Sequence, residues 1–266
     1  MAKKIDKIDI YNGGKLDIIK PRFCTLEERI EIDKKSTIKN GSKYILHDVV
    51  DQISNNDELI TKVLKDNLKV STEIDNALKN NSNYKKAKAL KTPKSLLNYQ
   101  KTNNKAHMDK INVDIIESGV ILSPGQEVIH GGLPNTKVGD VIITTQTLST
   151  TLDPNIAVNN ADYLDKAYEA EELNINILKI ESDDIHALVF NGKTKMGHEK
   201  EVILEKGLEL VIEERTKVSE IERVKEDGSK KMISKYVTKI SVKKKAWVSK
   251  PNYTQAKYPL QSSLYK

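Results

Sequence analysis

The spacing of apolar residues changes near Gly119, and this change limits the folds open to the 266-residue chain. Before it, apolar residues recur three and four positions apart, which is typical of helices with one buried face. After it, short β-branched runs alternate with Gly, Pro, Asn and Asp, which is typical of strands joined by turns. Helices followed by strands predict an α+β fold, not a doubly wound one.

Apolar stripes predict three helices in the first part of the chain, at residues 45–53, 59–68 and 108–116. Residues 1–25 show no clear period and are predicted to form an arm or loop. These patterns divide the chain into a helical region at 1–104, a core at 105–245 and a tail at 246–266.

The core is predicted to be built from strands with one helix, at about Ile156–Glu171. The predicted strands are Glu127–His130, Asp140–Thr144, Asn174–Ile180, Ala187–Phe190, Glu201–Leu204 and Glu209–Glu213. Asp227-Gly228, which lies between two later extended segments, predicts a hairpin with a type I′ turn, since that turn needs positive φ at both central residues.

Composition excludes several classes of protein. Cys24 is the only cysteine, so no intramolecular disulfide and no zinc site of several thiolates can form. The sequence contains no run of about 18 apolar residues, so no membrane span is predicted. It also contains no recognisable secretory signal, Walker loop or Gly-x-Gly-x-x-Gly motif. The net charge of +6 fits an acidic partner or nucleic acid, but a solvated lysine surface is the simpler interpretation.

Three segments of the core carry polar residues at the ends of strands. They are Glu127-Val128-Ile129-His130-Gly131-Gly132-Leu133, Leu148-Ser149-Thr150-Thr151-Leu152-Asp153-Pro154 and Glu199-Lys200-Glu201-Val202-Ile203-Leu204. Alone, each has an ordinary structural interpretation: a turn, a helix cap and a solvated strand edge. Their order and spacing together favour a catalytic site.

In that order, the segments resemble the signature of mono-ADP-ribosyltransferases of the cholera-toxin and clostridial-toxin type. The family reads an Arg-Gly strand, a Ser-Thr-Ser strand and a Glu-x-Glu strand. Gly139-Asp140 and Leu148–Pro154 match the family around its second motif, and Glu199–Leu204 followed by Gly207 matches the third. The resemblance covers about residues 105–215. It implies a fold with an N-terminal helical lobe before a split, mostly antiparallel β-sandwich, and NAD as the substrate, with no metal.

The resemblance also implies a role for each motif residue. Glu201 would bind the ribose 2′-hydroxyl as positive charge develops on the sugar. Ser149 would hold Glu201 in place, and Glu199 would orient an arginine acceptor. The cofactor-binding set would be His130, Gly131, Thr150 and Thr151, with the two threonines supporting their strand.

The first motif departs from the family, since His130 stands where the family has arginine. That arginine normally braces the NAD diphosphate. A neutral histidine can donate one hydrogen bond to a ribose hydroxyl, as in the diphtheria-type branch. The sequence therefore predicts a His-Ser-Glu variant of the site.

Several functions stay open at this point. The acceptor implied by the resemblance is a protein arginine, with host RNA polymerase or translation proteins as candidate targets. Rival hypotheses are NAD hydrolysis, ADP-ribosylation of nucleic acid, and a binding module that has lost activity with the change to His130. A lysine-rich chain of this kind resembles bacteriophage proteins that act in the bacterial cytoplasm, or the catalytic part of a toxin.

Overall fold

The computed structural model describes residues 2–35, 44–88, 93–102, 108–190 and 200–245, and it confirms an α+β fold. The α-helices are α1 (Leu26–Lys35), α2 (Asn56–Asp66), α3 (Ser71–Asn80), α4 (Ser82–Lys88), α5 (Lys94–Thr102), α6 (Met108–Ser118), α7 (Pro154–Asp162) and α8 (Lys166–Ala170). The strands are β1 (Lys3–Ile5), β2 (Leu16–Phe23), β3 (Ile45–Ile53), β4 (Val120–Leu122), β5 (Glu127–Gly131), β6 (Val141–Ile143), β7 (Leu148–Thr151), β8 (Glu172–Ile180), β9 (His186–Val189), β10 (Glu201–Leu204), β11 (Leu208–Val224) and β12 (Lys230–Lys244).

Ten of these strands form one sheet, in the order β1-β4-β9-β10-β7-β5-β8-β12-β11-β6. Only β1 with β4 and β8 with β12 run parallel; every other neighbouring pair is antiparallel. The mostly antiparallel sheet that the family resemblance implies is thus confirmed. A separate two-stranded sheet pairs β2 with β3.

One hydrophobic core joins the beginning of the chain to its end. The largest buried cluster contains Ile5, Ile18 and Leu59 together with Leu178 and Val242. Burying a side chain of this size stabilises the fold by about 1.5–3 kcal/mol. Residues on both sides of the predicted boundary at residue 104 therefore share the same packing.

Helix α2 is well specified by its own sequence. The Asn55 side chain caps it by accepting a hydrogen bond from the Glu58 amide, and Asn67 ends it in the left-handed conformation. Caps of this type are common because they satisfy the unpaired groups of the helix ends. Its apolar stripe is buried, as the spacing predicts, and packs against β11, β12 and α7.

Two predictions for the N-terminal part are wrong. Residues 45–53 form β3 rather than a helix, and residues 1–25 contain β1 and β2 rather than only an arm. In β3 the apolar residues do not form a buried face, since Ile45, Val49 and Val50 are exposed and Ile53 alone is fully buried. A bulge in β2 between Ile18 and Ile19 shifts the register of this pair.

Two local predictions for the core also need correction. The helix expected at about Ile156–Glu171 is divided into α7 and α8, because Leu164 and Asp165 both have positive φ. The hairpin at Asp227-Gly228 is confirmed, but its turn is not type I′. Only Gly228 has positive φ, and its amide binds the Lys225 carbonyl. This pattern is that of a type I turn closed by a glycine bulge.

Candidate active site

The two halves of the large sheet meet between β7 and β5. In the part of the chain that the structure describes, Ile129 and Thr151 are the only residue pair that bridges these strands. Next to this pair, His130 Nδ1 lies 2.8 Å from the carbonyl oxygen of Ser149. A side chain thus links the two strands where their backbone pairing stops. The first two motifs therefore meet at a break in the sheet.

Ser149 and Glu201 are joined directly. In the register of β7 and β10, Ser149 pairs with Ile203 and Thr151 pairs with Glu201, so Ser149 and Glu201 are diagonal neighbours. Ser149 Oγ donates a hydrogen bond of 2.6 Å to Glu201 Oε1. That length is typical of a hydroxyl bound to an ionised carboxylate. Glu201 is only 5% exposed, so the bond fixes a carboxylate that solvent barely reaches.

Thr150 and Thr151 are buried, and their hydroxyls bond within the protein. Thr150 Oγ1 donates to the Val202 carbonyl at 2.5 Å, and Thr151 Oγ1 accepts from the Asp153 amide at 3.0 Å. Neither residue lines the cavity described below. This placement suits the strand-supporting role expected for them, and their assignment as cofactor-binding residues stays a prediction.

Gly131 has a packing role that its motif does not reveal. A Cβ atom at this position would lie 1.9 Å from the Ala157 carbonyl oxygen and 2.9 Å from the Ala161 amide nitrogen. Both atoms belong to the backbone of α7, so only glycine lets this helix approach β5 so closely. The bulky neighbour that the glycine admits is therefore a helix of the same chain.

A cavity of about 530 Å³ opens beside this break in the sheet. This volume lies within the range of small-molecule sites, which is roughly 300–1,000 Å³. His130, Gly131, Gly132, Leu133 and Ser149 line one part of it. The end of α7, the residues that follow it, the start of β8 and several residues between Pro134 and Leu148 complete the lining. Its charged and amide lining includes Asn160, Lys166, Glu169, Glu172 and Asn174.

His130 is half-buried and neutral. Burial lowers the pKa of its imidazole, the bond to the Ser149 carbonyl opposes this shift, and the nearby charge of Lys166 lowers the pKa further. Because a carbonyl can only accept, the proton of the neutral ring is on Nδ1, and Nε2 has the lone pair. In this geometry Nε2 can accept a hydrogen bond, and the expected contact between His130 and a ribose hydroxyl stays a prediction.

Lys166 is a site residue that the sequence analysis missed. It begins α8, lines the cavity, and lies close enough to affect the pKa of His130. Burial lowers the pKa of its own ammonium group. With 44 Lys and Arg residues in the chain, nothing in the sequence distinguishes this lysine from the others. Its role depends on the break after α7, which the sequence analysis did not predict.

Two asparagines of β8 support the His130 segment from behind. Asn176 is fully buried and its Nδ2 donates to the carbonyls of His130 (3.0 Å) and Gly132 (2.6 Å). Asn174 donates to the Leu133 carbonyl at 3.2 Å. This wall of the cavity is therefore held by side chains that bind backbone carbonyls.

Arg215 lies just behind this wall. It forms an ion pair of 2.8 Å with Glu172, and its guanidinium stacks on Tyr236 at 3.5 Å. The arginine is thus used to fix a cavity residue. Its position does not replace the arginine missing from the first motif.

Two expectations lie outside the described residues. Glu199, which was expected to orient an arginine acceptor, and the tail predicted at 246–266 are not described. Within the described ranges, no three His, Cys, Asp or Glu side chains are grouped as metal ligands would be. No helix in those ranges has both the length and the apolar character needed to span a bilayer.

No protein-family model matches the chain, and no curated protein matches it. Solved structures similar to it include the Vis toxin of Vibrio splendidus, an ADP-ribosyltransferase (12% identity, 61% of this chain and 68% of that one, TM-score 0.32). Another is the enzymatic component C2-I of the Clostridium botulinum C2 toxin (14% identity, 63% of this chain and 41% of that one, TM-score 0.35). A third is Plx2a, an ADP-ribosyltransferase toxin of Paenibacillus larvae (14% identity, 58% of this chain and 85% of that one, TM-score 0.33). Similarity this low assigns neither an activity nor a substrate.

Proposed function

We propose that the chain is an NAD-dependent mono-ADP-ribosyltransferase, which splits nicotinamide from NAD and transfers ADP-ribose to a macromolecule. The observation that carries the proposal is the Ser149–Glu201 hydrogen bond of 2.6 Å. Ser149 also lines the cavity, together with His130 and Lys166. A fixed carboxylate and a nearby cation suit a substrate that develops positive charge on its sugar and carries a negative diphosphate.

Glu201 stabilises the transition state in this scheme. The bond from C1′ of the ribose to the nicotinamide nitrogen breaks, nicotinamide leaves as a neutral molecule, and positive charge remains on the sugar. A hydrogen bond from the 2′-hydroxyl to the Glu201 carboxylate strengthens as that charge develops, as in glycosidases. Ser149 holds the carboxylate at 2.6 Å, so little reorganisation is needed when the bond breaks.

Two other cavity residues bind the rest of NAD. Lys166 supplies positive charge for the diphosphate, in place of the arginine that the first motif lacks. His130, neutral and with its Nδ1 proton donated to Ser149, accepts a hydrogen bond from a ribose hydroxyl through Nε2. Binding and bond cleavage are thus assigned to different side chains.

The acceptor is proposed to be a protein arginine. This rests on Glu199, which stands two residues before Glu201, because a carboxylate can orient a guanidinium through two parallel hydrogen bonds. The nitrogen of the guanidinium attacks C1′ and loses its proton. Host RNA polymerase and translation proteins in a bacterial cytoplasm remain the candidate targets.

The test follows two products at once. The purified chain is incubated with NAD labelled in its adenylate moiety and with a bacterial lysate, and free nicotinamide and bound label are measured. We expect labelled protein from the wild type, none from Glu201→Gln, and normal labelling from the control Glu213→Gln, since Glu213 is exposed on β11.

Other outcomes identify the rivals. Nicotinamide release without label makes the chain an NAD hydrolase, and label that ribonuclease or deoxyribonuclease removes indicates nucleic acid as the acceptor. If the wild type neither labels nor releases nicotinamide with lysate present, the enzyme proposal fails and a binding module with a lapsed site is favoured.

A further inference from the structure

Lys200 is a buried lysine at the start of the Glu201 strand. It is 4% exposed, and its Nζ lies 2.8 Å from Asp153 Oδ2 and 3.4 Å from Asp75 Oδ1. A buried ammonium is unfavourable unless a carboxylate pairs with it. The pair therefore ties the residue immediately before Glu201 to the turn that follows Ser149, Thr150 and Thr151.

The backbone of Lys200 is held in an unusual conformation. Its φ is 51°, a left-handed value that residues other than glycine rarely adopt, because their Cβ atom then crowds the backbone. Its carbonyl accepts a hydrogen bond from the Leu152 amide at 3.3 Å. The ion pair with Asp153 and this hydrogen bond compensate the strain. The chain enters β10 at Glu201 directly after this turn.

Asp153 connects this turn to helix α7. It is fully buried, and its Oδ1 accepts from the Asn155 amide at the start of the helix while Oδ2 binds Lys200. The Asn155 side chain in turn binds the Val70 amide and the Leu68 carbonyl. One polar network therefore fixes the end of β7, the start of α7 and the start of β10 relative to each other.

We infer that Lys200 is a positioning residue for Glu201, acting through its ion pair with Asp153; this inference rests on the function proposed above. Without the pair, the left-handed turn relaxes and the Glu201 carboxylate moves relative to Ser149. The hydrogen bond to the sugar must tighten in the transition state, so a small displacement lowers kcat. NAD binding is assigned to His130 and Lys166, so KM changes little.

The competing explanation is that the pair only stabilises the fold, and a double variant separates the two. Lys200→Met leaves the Asp153 charge buried without its closest partner and should lower Tm. Lys200→Met with Asp153→Asn removes both charges and keeps the helix cap, because asparagine caps as well as aspartate. We expect Tm to recover in the double variant.

Turnover is expected to behave differently from stability. In the double variant, kcat for nicotinamide release should stay roughly 10- to 100-fold below the wild type, with KM for NAD within about twofold. A double variant with wild-type kcat would overturn the positioning role.

The matched control lies at the other end of β10. Glu205, which is 2% exposed, pairs with Lys244 at 3.0 Å. Lys244→Met should lower Tm and leave kcat unchanged. An equal loss of kcat in this variant would show that any broken ion pair beside β10 has the same effect, and the inference would fail.

A readout without turnover keeps the inference separate from the proposed function. The carboxyl carbon of Glu201 is observed by NMR in protein labelled at glutamate, and is assigned by its loss in Glu201→Gln. We expect its resonance to move in the double variant and to stay in Lys244→Met. An unmoved resonance in the double variant overturns the positioning role, whereas a wild type without nicotinamide release overturns only the proposed function.

Discussion

The two walls of the cavity are built on different principles. The carboxylate wall is defined here as Ser149 of β7, which lines the cavity, and Glu201 of β10, which is not part of the lining but is bound by the Ser149 hydroxyl. These two side chains fix each other. The imidazole wall, formed by His130–Gly132 with Lys166, is fixed by side chains that bind its backbone, chiefly Asn176. The first arrangement fixes the orientation of one carboxylate, and the second fixes the shape of the backbone that lines the cavity.

This difference indicates a division of work. A carboxylate that stabilises a developing charge must be placed to within a fraction of an ångström, so direct hydrogen bonding suits it. A surface that binds a diphosphate and a ribose needs charge and shape, which a backbone held by asparagines provides. We therefore expect substitutions on the carboxylate wall to change kcat and those on the imidazole wall to change KM.

The largest expected effect is on the carboxylate wall. Ser149→Ala removes the 2.6 Å bond to Glu201, so kcat for nicotinamide release should fall roughly 10- to 100-fold, with KM for NAD little changed. Steady-state kinetics measure both, with Ser219→Ala on β11 as the control. A rise in KM at constant kcat would contradict the assignment of bond cleavage to the carboxylate wall.

The next effect concerns the packing behind the imidazole wall. Gly131→Ala places a methyl group 1.9 Å from the Ala157 carbonyl oxygen, so α7 must shift. The free energy of unfolding in urea should fall by about 1–3 kcal/mol. Unchanged stability would mean that the helix tolerates the shift, and that this wall is less tightly built than its contacts indicate.

Lys166 tests the binding role of the imidazole wall. Lys166→Met should raise KM for NAD by roughly 3- to 10-fold with kcat little changed, and more at low salt, because the lost interaction is between charges. Lys235→Met is the control, since burial also lowers the pKa of Lys235 but its ammonium binds the Leu64 carbonyl. A fall in kcat alone would mean that Lys166 acts in bond cleavage, as the carboxylate wall does, rather than in NAD binding.

The smallest effect is a pH dependence of stability. Burial lowers the pKa of folded His130, so at low pH the unfolded chain binds a proton that the folded protein does not. Stability should therefore fall as pH is lowered from about 6.5. His130→Gln should flatten this part of the curve, while His47→Gln, at an exposed histidine, should not. Equal curves for wild type and His130→Gln would contradict the prediction.

The strand that carries Glu201 was predicted from the sequence with its observed bounds. In the sequence, Glu199 and Glu201, the apolar run after them and Gly207 define both ends locally. The link from Glu201 to Ser149 followed from a family resemblance, because pairing between residues 52 positions apart is not encoded by either segment alone.

Other features depend on contacts that no local pattern contains. β3 has helical spacing, yet it pairs with β2, and most of its apolar residues face solvent. The predicted helix is interrupted at Leu164 and Asp165, where the sequence has no glycine or proline that would indicate a break. Lys166 and Lys200 become distinctive only through burial, which composition cannot reveal.

The position of β12 has a consequence for synthesis on the ribosome. This strand, at Lys230–Lys244, lies between β8 and β11 and pairs with β8 in parallel over nine residues. Until it has emerged, β8 lacks a neighbour on one side, and the imidazole wall that β8 supports has no stable backing. Long-range parallel pairing also forms slowly. The Glu201 strand is thus made well before the cavity can close, and a nascent chain that stops short of β12 should have no assembled site.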